Sequence, residues 1–322
     1  MKVSITIPIW NRAAYLQYSL YLYAKQTIKD FEIIVIDDNS DDNPYDVCKI
    51  FKDHMNIRFF RCGRKEDQSL PQGCGPLLNF AAKNVAKGEI TIYADPEVMP
   101  FPDFVEQHYL SHQPGHIIKE PDFIAPGVPG KIRNPIAIEM ETYYNIKGLT
   151  LKTWIEHRNL FGTLEGWMKE GRIKDIVSMW NWMWSIIMKL PNDHTGEHNK
   201  DSSYRNGDQS FWGFQGSQAG WSYRTDKYVE LRGWNEDCSK LGYWMAEDCE
   251  FGARMRRAGI QSIENANIRA IHLCHPKATI GSDEMIDNCV RDPYERNEDC
   301  IIGNVGHKWG DPEILKIEEI KL

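Results

Sequence analysis

The sequence predicts an α/β protein built on a doubly wound, mostly parallel sheet. Short apolar runs alternate with helix-spaced segments through roughly the first hundred residues. That is the βαβ order of parallel sheets. The run Phe31–Asp37, Phe-Glu-Ile-Ile-Val-Ile-Asp, is nearly continuous in apolar residues, as strands buried on both faces are. Polar and acidic residues stand just after the predicted strand ends, and such sheets bind ligands beyond their carboxyl ends.

The elements follow in order. Val3–Pro8 reads as an apolar first strand, and Ala13–Lys25 as a helix with Leu16, Leu20, Tyr23 and Ala24 at helical spacing. Phe31–Asp37 is the second strand. Pro44–His54 is a helix opened by proline. Ile57–Arg61 is a third strand, Leu77–Ala86 a helix stopped by Gly88, and Ile90–Tyr93 a fourth strand. The chain then changes texture. Pro121–Pro135 reads as a Pro- and Gly-rich loop with one short strand. Leu151–Met168 and Ile173–Leu190 read as helices, the second carrying Trp180, Trp182 and Trp184. Asn192–Asp208 is a polar, turn-rich candidate lid. From Gly213 the α/β texture returns. Ser222–Leu231 reads as a strand and short helix, and Met245–Ala258 as a helix stopped by Gly259. Ile260–Glu264 and Ile268–Leu273 read as short strands, and Ile314–Leu322 as a terminal helix.

Bulk properties bound the function. The 322 residues suffice for one large or two ordinary domains. A net charge of −8 gives no general footprint for nucleic acid. Only local basic clusters, Arg61–Lys65 and Arg254–Arg257, keep that partner open. No run approaches the ~20 apolar residues of a membrane-spanning helix. The N-terminus reads as a strand rather than a signal peptide, so a cytoplasmic location is the expectation, with peripheral contact at the inner face of a membrane left open. The eight cysteines form no C-x-x-C pair and read as reduced structural thiols.

The most informative stretch is Tyr93-Ala94-Asp95-Pro96-Glu97. Two carboxylates one residue apart, just past a strand, suit a hard divalent cation whose shell is completed by substrate phosphates. The plain alternative is an acidic turn ended by Pro96. Asn11-Arg12 and Asp37-Asp38-Asn39-Ser40 follow the first and second strands, so the three clusters converge on one sheet edge.

Residues Val3–Pro100 resemble the start of family-2 glycosyltransferases with the GT-A fold. The resemblance rests on Val-Ser-Ile-Thr-Ile-Pro-Ile-Trp-Asn-Arg at 3–12, on Gln26-Thr27, and on Asp30 through Ser40. Leu78-Asn79 with Ala82, and Gly88-Glu89-Ile90 leading to Asp95-Pro96-Glu97 and Pro100, continue it. A second block is similar too: Arg232-Gly233-Trp234-Asn235-Glu236, then Ala246-Glu247-Asp248 through Gly259. Together these cover a little under half of the chain.

The resemblance implies a mixed, mostly parallel GT-A sheet flanked by helices, with an aromatic-rich helical insertion. Residues 1–110 would be the nucleotide-sugar half, 111–212 the insertion, 213–280 the acceptor-binding and catalytic half, and 281–322 a tail. It implies that Asp38, with Asp37 beside it, binds the uracil of a UDP-sugar, and that Pro8, Trp10 and Arg12 frame base and diphosphate. Asn79 would face the nucleotide. Asp95 would contact ribose and metal, and Glu97 the metal; a register two residues earlier makes Asp95 the direct ligand and Glu97 a bystander. The metal is Mn2+ or Mg2+. His272 or His275 would add a ligand. Asp248 would be the general base, Glu247 an acceptor contact, and Tyr243 or Trp244 a stacking surface for the acceptor ring. The activity implied is inverting transfer from a UDP-sugar to a saccharide acceptor, either a glycan or a lipid-linked saccharide. A hydroxylated DNA base or a protein side chain is the alternative acceptor. Two other classes stand beside this one: a nucleotidyltransferase, which would want a Gly-rich or Lys-bearing phosphate loop not found after the first strand, and an inactive carbohydrate-binding protein.

Overall fold

The computed structural model describes residues 1–63, 73–114, 123–126, 220–236, 251, 254–255, 258, 262–265, 268, 270–272 and 308–322. The four expected strands are β1 (Val3–Ile9), β2 (Phe31–Asp37), β3 (Ile57–Cys62) and β4 (Ile90–Tyr93). They join β6 (Phe123–Pro126), β7 (Trp221–Arg224), β8 (Ser262–Asn265) and β10 (Ile317–Ile320). Among the described residues these make one eight-stranded sheet in the order β10-β3-β2-β1-β4-β7-β6-β8. Strands β3, β2, β1 and β4 run parallel. The partners β7 and β10 run antiparallel to β4 and β3, so the sheet is mixed. A separate pair, β5 (Val98–Pro100) with β9 (Ala270–His272), is antiparallel.

Strand β2 explains why the centre is buried on both sides. Successive side chains of a strand point to opposite faces. Ile33 and Val35 pack with Val3, Ile5 and Ile7 of β1 against Leu16, Leu20 and Tyr23 of α1 (Ala13–Ala24) and Phe51 of α2 (Pro44–Phe51). Ile34 and Ile36 pack on the other face with Phe60, Leu77, Phe80 and Ala81. That second layer is α3 (Cys74–Phe80), which continues as a π-helical turn, Ala81–Val85. Glu32, charged within the buried run, accepts hydrogen bonds from Ser4 Oγ and the Lys87 N–H, both at 2.8 Å.

Several elements differ from the sequence reading. The helix expected from Leu77 starts at Cys74, and its last turn is π rather than α. The elements β5 and α4 (Phe104–Ser111) were not anticipated. The terminal helix expected at Ile314–Leu322 is instead a strand over Ile317–Ile320, paired antiparallel with β3. Apolar residues three apart in Ile-Glu-Glu-Ile resemble a helical stripe. The open edge of β3 wins over helix propensity, and Arg58 fixes the pairing with a two-pronged bond to Glu319 at 2.8 and 2.9 Å. The helices expected at Leu151–Met168 and Ile173–Leu190, their tryptophans and the 192–208 loop lie outside the described residues. Of the expected Met245–Ala258 helix, Phe251, Arg254 and Met255 are helical and buried.

Candidate active site

Three loops leave one edge of the sheet together. The register pairs Ile9 with Asp37 and Thr6 with Tyr93. The residues after β1, β2 and β4 therefore emerge side by side. Asn11 and Asn39 adopt left-handed backbone, φ 53° and 58°, a region that asparagine tolerates better than most residues. These turns are stitched to each other. The Asn11 N–H donates to Ser40 Oγ (2.9 Å), the Asp41 N–H to Asn11 Oδ1 (2.8 Å), and the Ala13 N–H at the start of α1 to Asp42 Oδ2 (2.8 Å).

The two aspartates after β2 have different surroundings. Asp37 is buried; its Oδ1 accepts the Ser40 N–H and its Oδ2 the Arg61 Nε–H, both at 2.8 Å. Asp38 is buried beside it, and its Oδ2 accepts the Gly73 N–H at 3.1 Å. The Gly73 contact orients the Asp38 carboxylate. Pro8 is buried at the end of β1. Trp10 is half-buried and packs against the cluster of Cys74, Leu78, Tyr93, Trp221 and Trp234. The Arg12 guanidinium donates to the Asn11 carbonyl at 3.1 Å.

Asp95 and Glu97 follow β4 in a tight turn, closed by the Val98 N–H donating to the Asp95 carbonyl at 3.0 Å. Pro96 supplies the fixed φ favoured after the first residue of such a turn. The carboxylates are 6% and 2% exposed. Two buried carboxylates one residue apart are oxygen donors of the kind a hard divalent cation takes. The donor set thus fits a hard metal. Among the described residues no group of three or more His, Cys, Asp or Glu stands together. The β5–β9 ladder pairs His272 with Val98, so the backbone of His272 lies across from the residue after Glu97. Tyr93 donates its hydroxyl to Asp95 Oδ1. Burial first, then the Asp95 charge, raise the Tyr93 phenol well above its ordinary range, so it stays a donor. Burial and Asp95 likewise raise Tyr23.

Asn79 is placed differently from its expected role. Its Oδ1 accepts the Tyr228 hydroxyl (2.8 Å) and the Trp234 N–H (2.9 Å). Its Nδ2 donates to the Trp234 carbonyl (2.8 Å) and Glu236 Oε1 (2.9 Å). All four hydrogen-bonding positions of the amide are used by protein groups. Asn79 therefore clasps α3 to the turn after α5 (Thr225–Glu230). The two basic clusters also change meaning. Arg61 pairs with Asp37. Arg254 is 1% exposed and donates to the carbonyls of Leu231 (2.9 Å) and Gly233 (2.5 Å). The other basic residues of the two clusters, Arg64, Lys65, Arg256 and Arg257, lie outside the described residues. Glu247, Asp248, Tyr243, Trp244 and His275 lie outside the described residues. Tyr93 and Arg254 are the site-building residues that sequence reasoning undervalued; a tyrosine two residues before a candidate ligand, inside a buried strand, was the available signal for the first.

Residues 4–119 match the model of the family described as Glycosyl transferase family 2. The first third of the chain is thus similar to family-2 glycosyl transferases. The chain is 23% identical over 298 residues to validoxylamine A glucosyltransferase of Streptomyces hygroscopicus subsp. jinggangensis (strain 5008), covering 90% of this chain and 60% of that relative. It is 31% identical over 104 residues to an uncharacterized glycosyltransferase of Rickettsia typhi (strain ATCC VR-144 / Wilmington), covering 32% of this chain and 30% of that relative. The chain thus spans 60% and 30% of the length of these two curated relatives. Its fold is similar to a crystal structure of GalNAc-T7 with UDP, GalNAc and Mn2+, with a TM-score of 0.51 and 14% identity over 91% of this chain and 48% of that one. The fold is of the GT-A type. No helix among the described residues is long and apolar enough to cross a membrane.

Proposed function

We propose that this protein is an inverting, metal-assisted glycosyltransferase that moves a sugar from a UDP-sugar to an acceptor hydroxyl. The observation that carries the reading is the shared sheet edge. Asp38, Trp10 and the buried Asp95–Glu97 pair all leave it, and the β5–β9 ladder brings the His272 backbone alongside. The similar GalNAc-T7 structure holds UDP and Mn2+, which favours a uridine diphosphate donor here.

Each residue then has a task. Asp38, oriented by Gly73, accepts the N–H of the uracil ring and favours that base. Trp10 offers an indole face to the nucleotide, and Arg12 a cation to its diphosphate. Asp95 and Glu97, joined by His272 or His275, would hold Mn2+ or Mg2+; when bound, the ion offsets charge growing on the leaving UDP. Asp248 takes the acceptor hydroxyl's proton as that oxygen bonds the anomeric carbon. The bond from the anomeric carbon to the diphosphate oxygen breaks in the same displacement, and UDP leaves with its electron pair. Glu247 hydrogen-bonds the acceptor, and Tyr243 or Trp244 stacks on its ring. A glycan or lipid-linked saccharide is the acceptor class favoured. The pairing of Arg61 with Asp37 and the burial of Arg254 withdraw one arginine of each basic cluster from the phosphates of a DNA acceptor.

The test is UDP release and product configuration with a panel of UDP-sugars, saccharide acceptors and Mn2+. Asp248→Asn should lower turnover roughly a hundred-fold or more, the usual worth of a general base, and the wild-type product should show inverted anomeric configuration. Full activity in the variant, or retained configuration, contradicts this mechanism.

A further inference from the structure

Tyr93 occupies an unusual place. It ends β4, it is buried, and its hydroxyl points at the carboxylate two residues on. Its ring meets Trp221 edge-on at 5.7 Å and 80°, and Trp234 edge-on at 5.7 Å and 81°. The two indoles stack on each other at 5.9 Å and 14°. Edge-to-face contacts of this kind are favourable and directional, so the ring's orientation is fixed by its neighbours. Trp234 is fixed in turn: its backbone N–H and carbonyl are both bound by Asn79. Arg254 holds the same turn through the Leu231 and Gly233 carbonyls. A continuous chain of contacts therefore runs from Asn79 and Arg254 through Trp234 to Tyr93 and ends on Asp95.

We infer that Tyr93 is a positioning residue: its hydroxyl holds Asp95 Oδ1, so that the carboxylate is presented to the metal–diphosphate in one orientation, and its ring ties that orientation to the Trp234 turn. The inference rests on the reading of Asp95 as metal- and nucleotide-facing. A carboxylate held by a donor outside the ligand shell loses less rotamer freedom when it binds, and such partners weigh on metal affinity. The tie also links the two blocks of the sequence, since Tyr93 belongs to the first and Trp234 to the second.

Tyr93→Phe removes the hydroxyl and keeps the ring. Tyr93→Leu removes both. Mn2+ binding in the presence of UDP, measured by the loss of the free Mn2+ paramagnetic resonance signal, separates the two contributions. Tyr93→Phe should keep the wild-type melting temperature within a few degrees and weaken Mn2+ binding roughly ten-fold, the usual cost of losing such an outer partner. Turnover in that variant should recover toward wild type as Mn2+ is raised, because the defect lies in affinity. Tyr93→Leu should lose melting temperature as well. Mn2+ binding by Tyr93→Phe equal to wild type, with the defect confined to Tyr93→Leu, overturns the inference: the ring would then serve packing alone. A wild-type protein that takes up no Mn2+ with UDP overturns the reading of the site and this inference with it.

Discussion

Asp37 and Asp38 are adjacent, identical and buried, yet their partners divide the work between them. Asp37 spends both oxygens on the fold, one on the Ser40 N–H and one on Arg61. Asp38 accepts the Gly73 N–H and is the residue proposed to read the base. Asp37→Asn should therefore lower stability by on the order of 2 kcal/mol, since it breaks a charged, partly buried bond, and leave UDP affinity nearly unchanged once folded. Asp38→Asn should do the reverse, weakening UDP binding in a calorimeter with little change in denaturant midpoint. Equal effects of both substitutions on UDP binding would contradict this division. The sequence reading put Asp38 first but gave Asp37 no task of its own, because the partner that decides, Arg61, lies in the next strand. Asn79 teaches the same lesson. The resemblance cast it as facing the nucleotide, but its four hydrogen bonds go to the 228–236 segment. No local pattern carries that information. Asp95 and Glu97 were legible because their two-residue spacing and their place after a strand are local facts.

At the scale of elements, the parallel core was readable because each strand announces itself. A largely apolar run of four to seven residues followed by a helix-spaced segment leaves few alternatives. The second half was harder. The strand β10 carries Glu-Glu between isoleucines, and its identity depends on the open edge of β3 and on Arg58. The turn after α5 depends on contacts from three directions. Arg232 and Gly233 both adopt φ of 58°, Arg254 binds the Leu231 and Gly233 carbonyls, and Asn79 binds Trp234. A Cβ added at Gly233 would lie 1.9 Å from Asn79 Oδ1. Gly233→Ala should therefore destabilise by on the order of 3 kcal/mol, combining left-handed strain with a clash against a buried amide. It should also disturb Trp234, which is readable as a shift in tryptophan fluorescence. A variant that melts with the wild type would show that the turn tolerates movement and that Asn79 does not clasp it as described.

At the scale of the whole molecule, the sheet joins chemistry at one edge to titrating groups buried beneath it. His108 of α4 and His112 both contact Ser222 Oγ of β7, at 2.7 and 2.8 Å, and all three are buried. Burial first, then the neighbouring His112, hold the His108 pKa well below the ordinary value of 6.5. The folded protein keeps His108 neutral where the unfolded chain takes up a proton. The unfolded state thus binds more protons as pH falls below about 6.5, and stability falls with it. The melting temperature should be flat near neutrality and drop between about pH 6.5 and 5, less steeply in His108→Gln; a wild-type curve flat across that window would contradict the burial of a neutral histidine. The central claim concerns the other end of the sheet. It is tested most directly by UDP release from a panel of UDP-sugars with saccharide acceptors, in Mn2+ and again in excess chelator, for wild type and Asp95→Asn. The account predicts release with at least one donor, lost in chelator and sharply reduced in the variant. Release that persists unchanged in chelator, or that Asp95→Asn leaves intact, would contradict it.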